Sequence, residues 1–187
     1  MPDPTTTNLN EGGNLFQQGP RDWLCQTAGA AAPSGGSALH EVKSVGATFS
    51  WPLRVYWEDT DAGGIVFYAN YLKFFERSRT EWLRSLGIAQ QQLKESTGGI
   101  FVVSETSVRY LRPCRLDDEL LVTARLVESG RASMTIAQQV LLKSGDTAQL
   151  VCEGTIRIGW VNAASLQPAR IPASILDRLK PTTQSFK

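Results

Sequence analysis

The sequence predicts an α+β fold made of a five-stranded antiparallel sheet and one long helix. Three observations lead to this fold class: several segments alternate between apolar and polar residues, one long segment repeats apolar residues at helical spacing, and short turn signals join the last strands. The 187 residues, of which 42% are hydrophobic, are enough for one domain with its own core.

The first strand follows from an alternating segment, Phe49 to Trp57. Its apolar side chains fall on one face and its polar side chains on the other, the pattern of a half-buried strand. Pro52 has no N–H to donate to a ladder, so we expect it at an edge of the sheet or near the strand's start. A turn-rich segment with two glycines, Glu58 to Gly64, comes next.

A long amphipathic helix follows this turn. Its apolar stripe consists of Phe67, Tyr71, Phe74, Phe75, Ser78, Trp82 and Leu86, with charged residues between them. This spacing predicts a helix of about five turns with one buried face. Gly87 occupies the position of a helix C′ cap, and a shorter helix is predicted over residues 90–94.

The rest of the chain reads as consecutive strands. They are predicted over residues 100–111, 120–127, 134–142 and 147–161, with a hairpin signal at Ser144 to Asp146 and a short terminal helix at 173–179. An antiparallel sheet needs a cover on one face, and the long helix is the element able to supply it. This order predicts the hotdog fold, a five-stranded antiparallel sheet wrapped around one long helix. Its edge strands and aromatic surface favour oligomerisation.

The first 46 residues differ in composition from the remainder. They are rich in Pro, Gly, Ser, Thr and Ala and hold few apolar residues that could offset the entropy of ordering. We therefore expect a disordered, low-complexity extension over residues 1–46 and one folded domain over residues 47–187.

Composition narrows the classes of function. A net charge of +1 argues against nucleic-acid binding, and three widely spaced cysteines argue against a disulfide framework or a zinc site. Apolar stretches are too short for a membrane span, and the N-terminus does not resemble a signal peptide, so we expect a cytoplasmic protein. The single histidine, His40, lies in the extension, which excludes a Ser-His-Asp or Cys-His site within the folded domain.

Asp61 in the acidic turn is the candidate catalytic residue. One interpretation makes it a solvated turn residue that caps the helix or favours its dipole. The other is chemical: free N–H groups at a helix start can hold a carbonyl oxygen as it becomes negative, while the carboxylate attacks the carbonyl or activates water. An acyl substrate, above all a thioester, would use both parts. Spacing alone leaves both interpretations open.

Three segments carry a resemblance to a known family. The segment from Trp51 to Leu83 contains EDTDAGGIV and YLKFFERSRTEWL, Val108 to Asp118 contains RYLRPCRLDD, and Leu166 to Pro172 matches near the C-terminus. Together they resemble the YbgC-type acyl-CoA thioesterases, associated with the Tol-Pal cluster, in the 4-hydroxybenzoyl-CoA thioesterase family. The resemblance covers about residues 47–180.

The resemblance implies hydrolysis of acyl-CoA to free acid and CoA, with no metal or other cofactor. It assigns catalysis to Asp61, as nucleophile or general base, and the oxyanion contact to the backbone N–H of Tyr68. It places substrate against Gly64, Ile65, Val66 and Phe67. Sites of this kind form between subunits, so a homodimer or homotetramer is implied.

Two points stay open after the resemblance. Many YbgC-type sequences have Tyr-His where this chain has Phe67-Tyr68, which bears on substrate preference. The alternative function is a hotdog binding module that docks acyl carrier protein or a phospholipid-synthesis partner with little hydrolysis.

Overall fold

A computed structural model describes residues 48–179, and the predicted extension with His40 lies outside this range. The elements are β1 (Phe49–Arg54), a 3₁₀ turn (Trp57–Asp59), α1 (Asn70–Ser85), α2 (Gln90–Thr97), β2 (Gly99–Tyr110), β3 (Glu119–Ser129), β4 (Ser133–Ser144), β5 (Thr147–Asn162) and α3 (Ala173–Leu179). In the described part of the chain, no helix combines the length and apolar character needed to cross a bilayer.

The five strands form one antiparallel sheet in the order β1-β3-β4-β5-β2. The two edge strands are therefore β1, which comes first in the chain, and β2, which follows the helices. Pro52 lies in β1, so the prediction that this residue occupies an edge strand is confirmed.

Helix α1 packs on one face of the sheet and forms the centre of the core. Its buried residues are Asn70, Tyr71, Phe74, Phe75, Ser78, Trp82 and Leu83. Full burial of a side chain the size of Phe74 or Phe75 contributes about 1.5–3 kcal/mol. A Cβ atom at Gly154 of β5 would lie 3.0 Å from the Phe75 ring and 2.9 Å from the Ser107 carbonyl oxygen, so glycine at this position permits the close packing of helix and sheet.

The main difference from the sequence prediction is where α1 begins. The apolar spacing predicts a helix from Phe67, but α1 begins at Asn70. The Phe67 N–H donates to the carbonyl of Asp59 (2.9 Å), so this part of the chain is tied to the preceding loop. Phe67 is accordingly 40% exposed, and the buried positions of the helix include Asn70 and Leu83, which the predicted stripe omits.

Candidate active site

The loop between β1 and α1 forms a narrow turn that presents Asp61. Thr60 and Val66 pair as an antiparallel bridge across the base of the turn. Inside it, the Asp61 N–H donates to the Ile65 carbonyl (2.9 Å), and the Gly64 N–H donates to the Asp61 carbonyl (3.0 Å). Gly64 has a φ of 70°, a left-handed conformation that favours glycine. The backbone of Asp61 is thus fixed on both sides by main-chain hydrogen bonds.

The Asp61 carboxylate is exposed at the surface of this turn. Its Oδ1 atom accepts a hydrogen bond from the Gly63 N–H (2.8 Å), and a Cβ atom at Gly63 would lie 3.1 Å from the same oxygen. This contact orients the carboxylate, and among the described residues no donor bonds Oδ2. One oxygen therefore anchors the group while the other faces solvent.

Tyr68 lies in the turn that leads into α1, two residues before the helix begins. The turn is closed by the Asn70 N–H, which donates to the Phe67 carbonyl (2.8 Å). Within residues 48–179, no carbonyl or side chain accepts a hydrogen bond from the Tyr68 N–H. This N–H lies just before the N-terminus of α1, the positive end of the helix dipole.

The four predicted substrate-binding residues lie in the same turn but differ in exposure. Gly64 is exposed at the tip, Ile65 is half-buried and pairs with Arg115 as a bridge, and the side chain of Val66 lies in the core. Of the four, Phe67 presents the largest exposed apolar side chain. Whether substrate meets these residues remains a prediction.

Exposed aromatic rings surround the turn. The Phe67 and Tyr68 ring centroids are 4.6 Å apart, and Tyr68 lies 6.3 Å from Tyr110 at the end of β2. Trp57 in the 3₁₀ turn is 79% exposed and Tyr68 is 63% exposed. Grouped exposed aromatic rings of this kind are typical of a binding surface for a partly apolar ligand.

Two buried thiols lie behind the turn. The Cys114 carbonyl accepts the Val66 N–H (2.8 Å), and Tyr71 lies beside the Cys114 thiol. Burial raises the pKa of Cys114 to about 11 and that of Cys152 to about 12. A protonated, buried thiol is a poor nucleophile, and the contact of Cys114 with the turn is made by its backbone carbonyl.

The third turn of α1 carries a half-buried cation. The Arg79 Nη1 donates to the Gln138 Oε1 (2.7 Å), and the Gln138 Nε2 donates to the Phe75 carbonyl (3.0 Å). Burial lowers the pKa of Arg79 from its ordinary value. Arg79 also lines a cavity of about 120 Å³ with Phe101 and Val103 at the edge strand β2.

For residues 48–179, no three His, Cys, Asp or Glu side chains group in a way that could hold a metal ion.

Comparison with known proteins places this arrangement in a family. The model of the Thioesterase-like superfamily matches residues 55–179. The chain belongs to this superfamily. The acyl-CoA thioesterase YbgC of Haemophilus influenzae is 37% identical over 127 residues, which cover 68% of this chain and 90% of the relative. The family and the thioester hydrolase class predicted from the sequence are confirmed.

Solved structures of other thioesterases confirm the hotdog fold. A probable thioesterase from Bartonella henselae is 30% identical to this chain, with a TM-score of 0.61. The match covers 67% of this chain and 100% of the Bartonella chain. A 4-hydroxybenzoyl-CoA thioesterase complexed with 4-hydroxybenzoyl-CoA is 18% identical and covers 71% and 99%, with a TM-score of 0.67. At 18% identity, the likeness to the 4-hydroxybenzoyl-CoA thioesterase shows the fold alone.

The structure also brings forward two buried polar residues beside the turn. Asp59 is 3% exposed and its Oδ2 accepts the Tyr56 N–H (2.9 Å), while Asn70 is 4% exposed and its Nδ2 donates to the Asp59 carbonyl (2.9 Å). Apolar periodicity gives no sign of either contact. The sign in the sequence is the polar Asn70 itself. It begins α1 but does not cap this helix, so its side chain is free to bond elsewhere.

Proposed function

We propose that this thioesterase hydrolyses acyl-CoA at the turn between β1 and α1, with Asp61 as catalytic carboxylate and the Tyr68 N–H as oxyanion donor. The observation that carries the proposal is an oriented carboxylate at Asp61 and, seven positions later, a main-chain N–H at Tyr68 that has no acceptor within residues 48–179. An acyl thioester is the substrate class that uses both groups at once.

The chemistry follows one of two routes. As general base, Asp61 takes a proton from water while the water oxygen bonds to the carbonyl carbon. As nucleophile, a carboxylate oxygen bonds to that carbon itself. In both routes the carbonyl oxygen becomes negative and accepts the Tyr68 N–H, the C–S bond then breaks, and CoA leaves as a thiolate that takes up a proton. The nucleophilic route forms an acyl-aspartyl anhydride, which water cleaves and which hydroxylamine would trap.

Asp61→Asn tests the assignment. The amide keeps an oxygen that can accept the Gly63 N–H, so the turn is preserved while the basic, nucleophilic carboxylate is lost. Loss of a general base or nucleophile should lower kcat by about 100-fold or more. The assay detects free CoA thiol across short, long and aromatic acyl-CoA substrates.

A matched control is Asp146→Asn, which removes another exposed carboxylate in the β4–β5 turn. The control should keep the turnover of the unchanged chain. If Asp61→Asn also keeps it, the proposed assignment is wrong. Acylated carrier protein is assayed as a second thioester donor, and tight carrier binding without hydrolysis would favour the binding-module alternative.

We further propose that the site is completed by a second copy paired along β2. In the described part of the sheet, β2 pairs only with β5, so its other edge is free. Two exposed apolar side chains lie on this strand, Val103 near its middle at 53% exposed and Tyr110 at its end at 45%. The register that we propose sets Val103 of one copy opposite Tyr110 of the other, and a two-fold axis makes this pairing reciprocal.

This pairing has a consequence for the site, because Tyr110 contacts Tyr68. The middle of the partner's β2 would then lie beside the proposed oxyanion donor. Val103→Lys should shift the protein from dimer to monomer in sedimentation and lower kcat/KM at the same time. A fully active monomer would exclude this arrangement.

An acyl-CoA substrate also leads us to expect a cytoplasmic location, which cell fractionation tests.

A further inference from the structure

The carboxylate loop and the start of α1 are joined by one buried side chain, Asn70. It is the first residue of the helix, a position that is normally solvated, yet it is only 4% exposed. The N-cap of the helix is Ala69, and no side chain caps it. The Asn70 amide is therefore committed to a contact outside its own helix.

The amide reaches back eleven residues to the loop. Its Nδ2 donates to the Asp59 carbonyl (2.9 Å) and lies 3.5 Å from the Glu58 carbonyl. The same Asp59 carbonyl accepts the Phe67 N–H (2.9 Å). The Asp59 carbonyl thus accepts hydrogen bonds from Phe67 and Asn70, which lie on either side of Tyr68 in the chain.

The loop side of this contact is equally fixed. Asp59 is buried, and its own carboxylate accepts the Tyr56 N–H (2.9 Å), so its carbonyl has little freedom to move. Asp61 follows two residues later. Main-chain hydrogen bonds within the turn fix the backbone of Asp61, and the donors from Phe67 and Asn70 tie the segment around Tyr68 to the same loop.

We propose that Asn70 is a positioning residue of the thioesterase reaction. Its side-chain donor holds the oxyanion N–H of Tyr68 in register with the Asp61 carboxylate. The inference rests on the proposed function. A displacement of about 1 Å between reacting groups can lower turnover by about 100-fold, so this clamp acts on kcat. KM should change little, because the amide is buried and directed away from solvent.

The pair Asn70→Ser and Asn70→Ala tests the inference, because the two variants differ by one oxygen. Serine keeps a hydroxyl donor, and a water of about 30 Å³ fills the space left by the shorter side chain and relays the hydrogen bond. Alanine keeps no donor. We expect Asn70→Ser to stay within about threefold of the unchanged kcat, and Asn70→Ala to lose about 10- to 100-fold with KM nearly unchanged.

Helix propensity predicts the opposite order for a purely structural role. Alanine favours a helix more than serine does, so a residue that only stabilised α1 would make Asn70→Ala the better variant. Equal kcat values for the two variants, or a higher value for alanine, overturn the inference. If Asn70→Ala does not fold by circular dichroism, Asn70→Cys replaces it, since a thiol matches the serine shape with a weak donor, and its kcat should fall below that of Asn70→Ser.

Asp61→Asn is measured in the same series to separate the two proposals. If Asp61→Asn retains turnover, the assignment of Asp61 fails. If Asp61→Asn is inactive while Asn70→Ser and Asn70→Ala are equal, the assignment of Asp61 stands and the positioning role of Asn70 is rejected.

Discussion

The left-handed conformation of Gly64 offers a quantitative test of the catalytic role proposed for the turn. Gly64 has a φ of 70°, and a Cβ atom there meets nothing within 4 Å. Gly64→Ala therefore introduces no clash, and its cost is the backbone strain alone, about 1–2 kcal/mol. This value sets the expected size of the whole effect.

The strain can lower either the free energy of unfolding or kcat. If the turn keeps its shape, the free energy of unfolding falls by about 1–2 kcal/mol. If the turn relaxes, the hydrogen bond from the Gly64 N–H to the Asp61 carbonyl is lost, and kcat falls by about 5- to 30-fold, the factor that corresponds to the same energy. Urea denaturation and steady-state hydrolysis of one acyl-CoA measure both quantities on the same preparation.

Two variants make the comparison specific. Gly64→Asn should be milder than Gly64→Ala, because asparagine tolerates the left-handed region. Gly98→Ala is the matched control, since Gly98 has a φ of 66° and open space around it but ends α2, away from the turn. It should lose stability and keep kcat. The reasoning is refuted if Gly64→Ala matches the unchanged chain in both assays, or if Gly98→Ala loses as much turnover.

Two further predictions concern the core behind the site. Gly154→Ala should lower the free energy of unfolding by about 1–3 kcal/mol, because its Cβ would press on the Ser107 carbonyl and the Phe75 ring; Gly159→Ala, whose nearest contact is 3.9 Å away, should stay close to the unchanged value. Unfolding in urea at rising pH should show a loss of stability above pH 9, since burial raises the pKa of Cys114 from 9.0 to about 11 and the unfolded thiol releases its proton first. That contribution is complete below pH 9 and lost as pH rises through 11, and Cys114→Ala should make the slope shallower.

The sequence predicts the sheet well because each strand carries its own alternation and its own turn signals. Pro52 in an edge strand and Gly87 at the end of α1, with a φ of 73°, follow from the covalent limits of these two residues. Such limits are local, and they hold whatever the rest of the chain does.

The site was only partly accessible from the sequence. A long motif predicts Asp61 as the catalytic carboxylate, and this stays a prediction. The start of α1, by contrast, follows a hydrogen bond from the Phe67 N–H to the Asp59 carbonyl, and the buried Asn70 donates to the same carbonyl. Contacts across eight or more residues leave no periodic trace in the sequence. The free edge of β2 likewise emerges only when the strand order is known.

The donor assigned to Tyr68 is its main-chain N–H, while its ring lies on the surface beside Phe67 and Tyr110. Any residue other than proline supplies that N–H. Under the proposed assignment, the reaction therefore depends little on which side chain stands at position 68. Substitution of this side chain during evolution would then change acyl preference while the proposed catalytic groups, a carboxylate and a main-chain N–H, stay the same.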